Sequence, residues 1–434
     1  MTGRRTLLAI SLFLAVCGLP YTAFGATLCV SQNPRPACPY STIGAAVAAS
    51  SPGDIIQVTR GTYHEDVIIG KAITLTATDT HAVIDATGLA NGIYIDGLDN
   101  PGLGGVVVSG FKIQNANFEG ILITNASSIT ISGNQIVHND LSLNISNATC
   151  PGIPAFETAE GFDCGEGVHL SGVDHSIIAN NLVTQNSGGI LISDDTGATH
   201  DNLILDNAIT ENPFDCGITL ASHPLYSPIP GPPSAAGVFH NTITGNVAQH
   251  NGYEVPGAGA GVGLFSPAPF TKTYGNVVTD NILKDNGLPG VALHAHAPGA
   301  VLIDNVIADN RIVRNGADTE DTATPGTTGI NVSGGDNGSG APLAVITGTL
   351  IAGNTIQQED IGVVTKTNSF TAVHLNNFFG LTTGVDNLDG GVVGAQLNWW
   401  GCSGGPTAAG CANVQGNVTF APSLASPNDP DADR

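Results

Sequence analysis

Four histidines and one aspartate fall on one strip of a strand that recurs along the chain. Each copy of this strand opens with Gly and a β-branched residue, and the places one and three residues after the Gly are generally aliphatic. Side chains alternate along a strand, so places two, four and six are predicted to point away from the core. These outer places hold our candidate catalytic residues, which are His169, Asp195, His223, His294 and His296.

The types and spacing of these residues predict acid–base chemistry or metal binding. Histidine shuttles protons near neutral pH and is also the commonest metal ligand. Asp195 and His223 are expected to lie one coil apart, about 5 Å, where they can form an acid–base or ligand pair. The spacing His294-x-His296 places both rings on one side of a strand, which suits a metal.

Distance limits what the strip can do. His223 and His296 are expected two coils apart, about 10 Å, so one ion cannot bind all five side chains, whereas a bound chain of sugars can touch them all. Three aromatic residues near the strip are candidates for stacking on sugar rings or for anchoring their own loops. They are Tyr226, Tyr253 and Phe265. The alternative is that histidines on the outer face have no function.

The scaffold that positions these residues is a repeat. Asn202, Asn207 and Asn212 stand five residues apart, with Ile204 and Ile209 between them. The same spacing returns at residues 241, 246 and 251, at 276, 281 and 286, and at 305, 310 and 315. It fits very short strands that turn a corner at each Asn, because Asn tolerates a left-handed backbone and its amide can ladder with the next coil.

The Gly-β-branched strands set the size of the solenoid. Their shortest interval, from Gly167 to Gly189, is 22 residues. We therefore predict an all-β, single-domain parallel solenoid of about ten coils, stacked about 4.8 Å apart. Inserted segments near 140–165, 252–260 and 316–328 precede such strands, and 224–234 and 334–341 follow them. They are expected to wall a groove, although solenoids also accept insertions anywhere on their surface.

The two ends are expected to close the core. Residues Tyr40–Ala49 have apolar residues at helical spacing and a hydroxyl N-cap, which predicts a short capping helix. Trp399 and Trp400 are interpreted as a seal for the last coil. The predicted organisation is a signal peptide at 1–25, an N-terminal cap at 26–50, coils at 51–397, a C-terminal cap at 398–425 and a disordered tail at 426–434.

The N-terminus predicts export. Arg4 and Arg5 precede an apolar run and the small-residue cleavage site Ala23-Phe24-Gly25, so a secreted, periplasmic or cell-surface location is expected. No second run is long enough to span a membrane. Removal of the signal leaves 10 Lys and Arg against 36 Asp and Glu, a net charge of −26. This charge disfavours nucleic acid, and it disfavours a polyanionic polysaccharide unless a cation intervenes.

Seven cysteines remain after the signal is removed. Local spacing suggests three disulfides, although other pairings remain open. These are Cys29 with Cys38, Cys150 with Cys164, and Cys402 with Cys411. Cys216 is left over, and with no histidine or other base near it in sequence we interpret it as a buried, inert thiol.

The stretch from residue 52 to residue 65 resembles a known family. Residues 52–58 read Pro-Gly-Asp-Ile-Ile-Gln-Val, and residues 61–65 read Gly-Thr-Tyr-His-Glu. This opening is similar to that of right-handed parallel β-helix proteins of the pectin-lyase-like superfamily, and the repeats resemble NosD-like β-helix repeats. The resemblance runs from about residue 40 to 420 and implies a right-handed β-helix. It implies less about function, because this fold carries many chemistries.

The chain departs from the superfamily's enzymes. Asp194-Asp195 resembles the Asp-Asp of pectin-hydrolysing glycosidases, but strand alternation is expected to send these two carboxylates to opposite faces unless a bulge intervenes. His223 lies in Ser-His-Pro rather than Gly-His-Gly, and neither Asn-Thr-Asp nor Arg-x-Lys is present. A lyase or epimerase acting on uronates needs positive charge at the sugar carboxylate, which calcium would have to supply here.

Three hypotheses follow from these observations. The first is a polysaccharide-binding or polysaccharide-processing β-helix, whose reaction class is hydrolase, lyase or epimerase. The second is a structural or adhesive solenoid without catalysis. The third is a NosD-like metal-associated protein with ligands at His294 and His296. The only methionine, Met1, belongs to the signal, so ligands for copper(I) are poor.

Overall fold

The chain folds into stacked coils of parallel strands. The computed structural model describes residues 25–140, 154–156, 165–224, 236–254, 259–319, 322–335 and 342–428. Its strands form four parallel sheets of 14, 11, 12 and 5 strands, numbered 1 to 4 here. From the strand Ile55–Val58 to the strand Thr383–Asn387 the chain passes from sheet 1 to sheet 2 and then to sheet 3 in each coil. Each of the five strands of sheet 4 directly follows a strand of sheet 3 in the sequence. The three long sheets thus have slightly more strands than the predicted ten coils.

The strands are short, and each pairs with its equivalent one coil away. Sheet 1 contains β1 (Thr27–Val30), β2 (Ile55–Val58), β5 (Thr74–Ala77), β8 (Val107–Ser109), β11 (Thr130–Ser132), β14 (Ile177–Ala179), β18 (Leu203–Leu205), β22 (Thr242–Thr244), β26 (Val277–Thr279), β30 (Val306–Ala308), β34 (Leu350–Ala352), β37 (Phe370–His374), β40 (Val392–Gly394) and β42 (Val418–Thr419). Sheet 2 contains β3 (Gly61–Tyr63), β6 (Ala82–Asp85), β9 (Lys112–Gln114), β12 (Gln135–Val137), β15 (Leu182–Thr184), β19 (Ala208–Thr210), β23 (Val247–Gln249), β27 (Ile282–Lys284), β31 (Arg311–Val313), β35 (Thr355–Gln357) and β38 (Asn377–Phe379).

The other two sheets lie on the later part of each coil. Sheet 3 contains β4 (Val67–Ile69), β7 (Ile93–Asp96), β10 (Ile121–Thr124), β13 (Glu166–Ser171), β16 (Gly188–Ser193), β20 (Ile218–Ala221), β24 (Val262–Phe265), β28 (Val291–Ala295), β32 (Thr328–Gly334), β36 (Ile361–Lys366), β39 (Thr383–Asn387) and β41 (Asn413–Gln415). Sheet 4 contains β17 (Thr199–His200), β21 (Val238–Phe239), β25 (Lys272–Tyr274), β29 (Val301–Ile303) and β33 (Val345–Thr347).

The core is a set of aliphatic stacks inside the coils. In most three-residue strands the middle side chain points inward, so Ile204, Ile243 and Val278 follow one another along the axis without solvent exposure. Each such side chain contributes about 1.5–3 kcal/mol by leaving water. One continuous apolar core therefore runs through the solenoid, as expected for repeats that cannot bury their faces alone.

The Asn repeat forms hydrogen-bonded ladders, as predicted. Asn207 donates from its backbone nitrogen and from Nδ2 to Oδ1 of Asn246 at 2.9 and 3.0 Å, and Nδ2 also donates to the carbonyl of Ile178 at 2.8 Å. The longest ladder joins nine side chains between sheets 1 and 2: Asn134, Asn181, Asn207, Asn246, Asn281, Asn310, Asn354, Asn376 and Asn398.

The conformational role assigned to Asn is wrong. The left-handed residue at each corner is the one before the Asn, as in Asp201, Asp206 and Glu211, whose φ angles are 55°, 53° and 60°. The Asn itself is buried in the ladder. The preceding side chain points to the exterior, so Asp, His, Arg or Gly can occupy that place, whereas the interior place needs an amide that both donates and accepts.

The N-terminal end is closed by the predicted helix, α1 (Ile43–Ala49). Thr42 caps it through a hydrogen bond from the backbone nitrogen of Ala45. The carboxylate of Glu65 accepts from the backbone nitrogens of Ile43 and Gly44, both at 2.7 Å. Among the described residues no helix has the length and apolar character needed to cross a membrane.

At the C-terminal end Trp400 has no exposed surface and lies against Phe378, which is consistent with its predicted role as a seal. Asn428 exchanges two hydrogen bonds with Asn377, so the first residues of the tail that we expected to be disordered are held. Residues 429–434 lie outside the described part.

The disulfides Cys29–Cys38 and Cys402–Cys411 form as predicted. Cys150 and Cys164 lie outside the described residues, as does the predicted signal peptide apart from Gly25. Cys216 is free and buried. Burial and the nearby charge of Asp215 raise the pKa of its thiol well above the usual range, as expected for an inert thiol.

Candidate functional site

Sheet 3 carries the predicted strip of titratable residues on its outer face. Val168, Leu170, Ile190 and Ile192 point into the core, as the alternation predicts. His169 lies beside Leu122 and Leu191 on the neighbouring strands. Of the five candidates, His169 and His294 lie on strands of sheet 3, whereas Asp195, His223 and His296 follow the ends of β16, β20 and β28.

The outer face is not the solvent-facing surface that the sequence predicted. His169 and Asp195 have no exposed surface, and His223 and His294 are only 2% and 6% exposed. Apolar side chains also lie on this face. One small cluster contains Phe118, Leu122 and Phe156, and another contains Cys216, Ala260, Leu288 and Ala292. The titratable groups consequently interact in a medium that screens charge poorly.

The predicted pair of Asp195 and His223 is present. Nδ1 of His223 lies 3.1 and 3.2 Å from the two oxygens of Asp195. Asp194 contacts the same neighbour, because its carboxylate accepts from the backbone nitrogen of His223 at 2.6 Å and from Ser222 Oγ at 3.0 Å. The expected separation of the two carboxylates to opposite faces is wrong, since β16 ends at Ser193 and strand alternation ends with it.

These adjacent carboxylates have pKa values shifted in opposite directions. Burial raises the pKa of Asp194, and the backbone donors Gly237 and His223 only partly oppose it. Burial also acts to raise the pKa of Asp195, but the hydrogen bond and positive charge of His223 outweigh it and lower that pKa to about 2. The two acids thus protonate in different pH ranges.

His169 belongs to a second buried pair that the sequence did not predict. Its Nδ1 lies 3.1 Å from Oε1 of Glu119, and its Nε2 lies 2.8 Å from Oγ of Ser193. Burial raises the pKa of Glu119, and the hydrogen bond and charge of His169 oppose that rise. Ser193 also bonds to Asp195. Glu119, His169, Ser193, Asp195 and His223 therefore form one continuous hydrogen-bonded series, which we call the polar chain.

A sequence signal for Glu119 existed. Glu119 and Glu166 each immediately precede the Gly of a Gly-β-branched strand. They therefore lie one residue before the Gly from which the outer places are counted. No comparable signal marks Ser193, because hydroxyl residues occupy many outer places.

His294 lies apart from the polar chain. Its Nε2 lies 2.9 Å from Oδ2 of Asp318 and 3.1 Å from Nδ2 of Asn331. His294 is on β28, and the strands β20 and β24 of sheet 3 lie between β28 and β16. The ring centroids of His294 and His296 are 6.0 Å apart, and Nε2 of His294 faces Asp318. The pairing of these two histidines as metal ligands stays a prediction.

The three aromatic candidates do not share one environment. The ring of Phe265 folds back over Gly263 and packs on the cluster that contains Cys216. Tyr253 is 41% exposed and stacks on His250 at a centroid distance of 4.0 Å. Tyr226 lies outside the described residues. Phe265 is therefore placed as a packing residue, and Tyr253 as an exposed ring away from the polar chain.

Metal binding on sheet 3 has one geometric candidate among the described residues. Ligand atoms of Glu119, Glu166 and His169 lie within 4.8 Å of one another. Both oxygens of Glu119 already accept hydrogen bonds, from His169 and from the backbone nitrogen of Glu166. Calcium prefers several free oxygen ligands. Calcium binding therefore stays a prediction from the sequence.

Comparison with known proteins agrees with the architecture. The family described as "Right handed beta helix region" matches residues 80–265, and "Periplasmic copper-binding protein (NosD)" matches residues 234–417. The chain is a right-handed parallel β-helix, and its residues 234–417 are similar to the NosD family. No curated protein sequence matches the chain.

Three solved structures illustrate the likeness. The Dettilon tailspike protein is 11% identical with a TM-score of 0.53, covering 87% of this chain and 64% of the tailspike. The catalytic unit of a GH87 α-1,3-glucanase from Streptomyces thermodiastaticus is 14% identical with a TM-score of 0.52, covering 88% and 66%. Pectate lyase Pel9A is 17% identical with a TM-score of 0.42, covering 89% and 82%. The likeness to the tailspike and to the glucanase establishes the fold, and the two disulfides indicate an oxidising compartment.

Proposed function

We propose that the chain is an exported protein that binds and processes a polysaccharide on the outer face of sheet 3. The observation that carries the proposal is the convergence of Asp194 and Asp195 on His223, the first accepting from its backbone nitrogen at 2.6 Å and the second lying 3.1 Å from its Nδ1; burial raises the pKa of Asp194, and His223 lowers that of Asp195. General acid–base chemistry at one pH needs one group that holds a proton and another that does not. Cleavage of a glycosidic bond uses such a pair of carboxyl groups.

The fold supports a glycan as the substrate class. The tailspike and the α-1,3-glucanase share this architecture over most of the chain, and the latter's name specifies a glucan substrate. A β-helix offers a long face along which successive sugars can lie across successive coils, spaced about 4.8 Å apart.

The charge distribution favours an uncharged glycan. The strands of sheet 3, as described, carry one basic residue, Lys366 at the end of β36. The mature chain has a net charge of −26 by its residue counts. A uronate polymer would meet repulsion without a neutralising cation, so neutral hexose polymers are the preferred substrates.

A second candidate function rests on the order Glu119–His169–Ser193. A carboxylate at Nδ1 and a hydroxyl at Nε2 of one imidazole is the arrangement that activates serine for acyl transfer. For this step the hydroxyl proton of Ser193 would have to turn from Asp195, to which Ser193 also bonds, to Nε2 of His169; Ser193 Oγ would then attack an ester carbonyl while His169 takes the proton and returns it to the leaving alcohol. Water would then hydrolyse the acyl-serine. Labelling of Ser193 by a fluorophosphonate, absent in Ser193→Ala, tests this function; no labelling of the wild type rejects it.

A glycan array and a reducing-end assay on the mature protein test the primary proposal. Neutral glucans and galactans are compared with uronate polymers, the latter with and without calcium. We expect binding and turnover of a neutral polymer, and loss of turnover in Asp195→Asn and His223→Ala. His64→Ala, an exposed histidine beyond sheet 2, is the matched control.

Two outcomes would overturn the proposal. Turnover that persists in an Asp195→Asn/His223→Ala double variant would exclude this acid–base site. Absence of binding and turnover on all polymers would favour the structural or adhesive alternative. Circular dichroism and resistance to trypsin establish that each variant remains folded before its activity is compared.

A further inference from the structure

A row of exposed histidine and aspartate side chains lies at the corner between sheets 4 and 1, away from sheet 3. His175, Asp201 and His240 occupy the left-handed corner place, with φ angles of 51°, 55° and 55°. Each immediately precedes a buried residue that bonds to the next coil: Ser176, Asn202 and Asn241. The three side chains therefore stand in a column, one per coil, about 4.8 Å apart.

A fourth donor joins this column from the neighbouring residue. His200 precedes Asp201, and its Nδ1 lies 2.8 Å from Oδ2 of Asp201. The other carboxylate oxygen lies 4.0 Å from Nδ1 of His240. Ligand atoms of His175, His200 and Asp201 all fall within 4.8 Å of one another. One carboxylate and three imidazoles thus converge across three coils.

The surroundings hold these donors near a common point. His200 is stacked on Phe239 at 4.7 Å, and Phe239 is stacked on Tyr274 at 4.8 Å. Nδ1 of His175 donates to the carboxylate of Asp174 at 2.7 Å, which leaves Nε2 as its ligand atom. A carboxylate on the second ring nitrogen is the usual support for a metal-binding histidine.

The column is accessible to an ion. The side chains of His175, Asp201 and His240 are 64%, 42% and 57% exposed. Small rotations of exposed side chains can bring imidazole nitrogens and a carboxylate oxygen to the bond length of about 2.0–2.2 Å that zinc requires. The negative charge of the chain also raises the local concentration of cations.

From this geometry we propose a binding site for a divalent transition metal, Zn²⁺ or Cu²⁺, formed by His175, His200, Asp201 and His240. Imidazole and carboxylate donors suit both ions. Copper(I) is disfavoured because Cys216 is buried and Met1 is the only methionine. The site is independent of the polysaccharide function.

Titration of the mature protein with ZnCl₂ and CuCl₂ in a calorimeter tests the proposal. We expect one site per chain and, for Cu²⁺, an electron paramagnetic resonance spectrum with splitting from imidazole nitrogens. His175→Asn and His240→Asn should each lower the affinity at least about tenfold. Asn tolerates the left-handed backbone at these corners, so the fold is retained while the imidazole is removed.

The controls separate this site from others. His81→Asn, an exposed histidine beside Asp79, should leave the affinity unchanged. Wild-type affinity in a His175→Asn/His240→Asn double variant would overturn the assignment. Loss of binding only in His294→Ala would place the ion on sheet 3 instead, and absence of heat with both metals would remove the site altogether.

Discussion

The carboxylate of Asp195 and the imidazole of His223 form a buried pair, with Nδ1 of the ring 3.1 Å from the nearer oxygen. Asp195 follows β16 and His223 follows β20, so the pair links adjacent coils of sheet 3. Breaking a buried ion pair leaves a charge without its partner, which costs more than the pair itself contributes. Substitution of Asp195 therefore tests both the stability of the protein and the proposed acid–base chemistry.

Asp195→Asn is expected to lower the free energy of unfolding at pH 7 by about 3–5 kcal/mol. Because the pKa of Asp195 is lowered to about 2 from an ordinary value of 3.8, its stabilisation is present above pH 4 and is lost as the pH falls towards 2. The difference between wild type and variant should therefore shrink over that range in urea unfolding followed by circular dichroism. Asp99→Asn, at an exposed position, is the control. A difference that stays constant from pH 4 to pH 2 would contradict this account.

The interior ladder predicts a second effect. Asn207→Ala removes the acceptor for the backbone nitrogen and Nδ2 of Asn181 and the donor to the carbonyl of Ile178. Each buried polar group left without a partner costs about 1–3 kcal/mol, so we expect a lower urea midpoint and faster hydrogen exchange at the neighbouring corners. Asn33→Ala, an exposed asparagine, should change neither measurement. Equal behaviour of the two variants would show that the ladder adds no stability.

Much of the fold could be predicted because the repeat imposes two physical constraints at once. The five-residue Asn spacing defines short strands, and the aliphatic residue between two Asn defines the inward face. Both constraints act within a coil, so the sequence shows them directly. The left-handed residue was misassigned because Asp206 and Asn207 both tolerate that backbone, and only the ladder contacts identify which of them is inside.

The candidate site could be predicted only in part. Alternation within a strand placed His169 and His223 on the correct face, but it could not describe Asp194 and Asp195, which follow the end of β16. Contacts between coils depend on the lengths of insertions, so the approach of Glu119 to His169, 50 residues apart, was marked only by the place of Glu119 immediately before Gly120. Burial of the outer face was likewise unpredictable, because it depends on which segments pack over sheet 3.

The capping contact of Glu65 gives a third prediction. Its two carboxylate oxygens accept the first backbone nitrogens of α1, where a negative charge also favours the helix dipole. Glu65→Ala should destabilise the N-terminal cap by about 0.5–2 kcal/mol. Hydrogen exchange followed by mass spectrometry should show faster exchange in residues 43–49 but not in the central coils. Unchanged exchange in that peptide would exclude a capping role. Glu254→Ala, at an exposed site, is the matched control.

A second ladder follows the strands of sheet 2 and ends at Glu359, at a place where the preceding coils have Asn: Asn139, Asn186, Asn212, Asn251, Asn286 and Asn315. Its Oε1 accepts from the backbone nitrogen and Nδ2 of Asn315 at 2.8 and 3.1 Å. Burial raises the pKa of Glu359 from about 4.5 to about 8, although the two bonds from Asn315 oppose the rise. The folded protein therefore binds a proton more tightly than the unfolded chain between these two pH values, and wild-type stability falls as the pH rises through that interval.

Glu359→Gln removes this proton linkage and keeps an oxygen acceptor for Asn315. We expect its stability relative to wild type to increase from pH 4.5 to pH 8, by about 1.4 kcal/mol for each pKa unit of the shift. Urea midpoints measured at half-unit pH intervals provide the test, with Glu254→Gln as the exposed control. A wild-type and variant difference that does not vary with pH would mean that Glu359 is ionised in the ladder, since only an ionised carboxylate would leave the proton balance unchanged on unfolding.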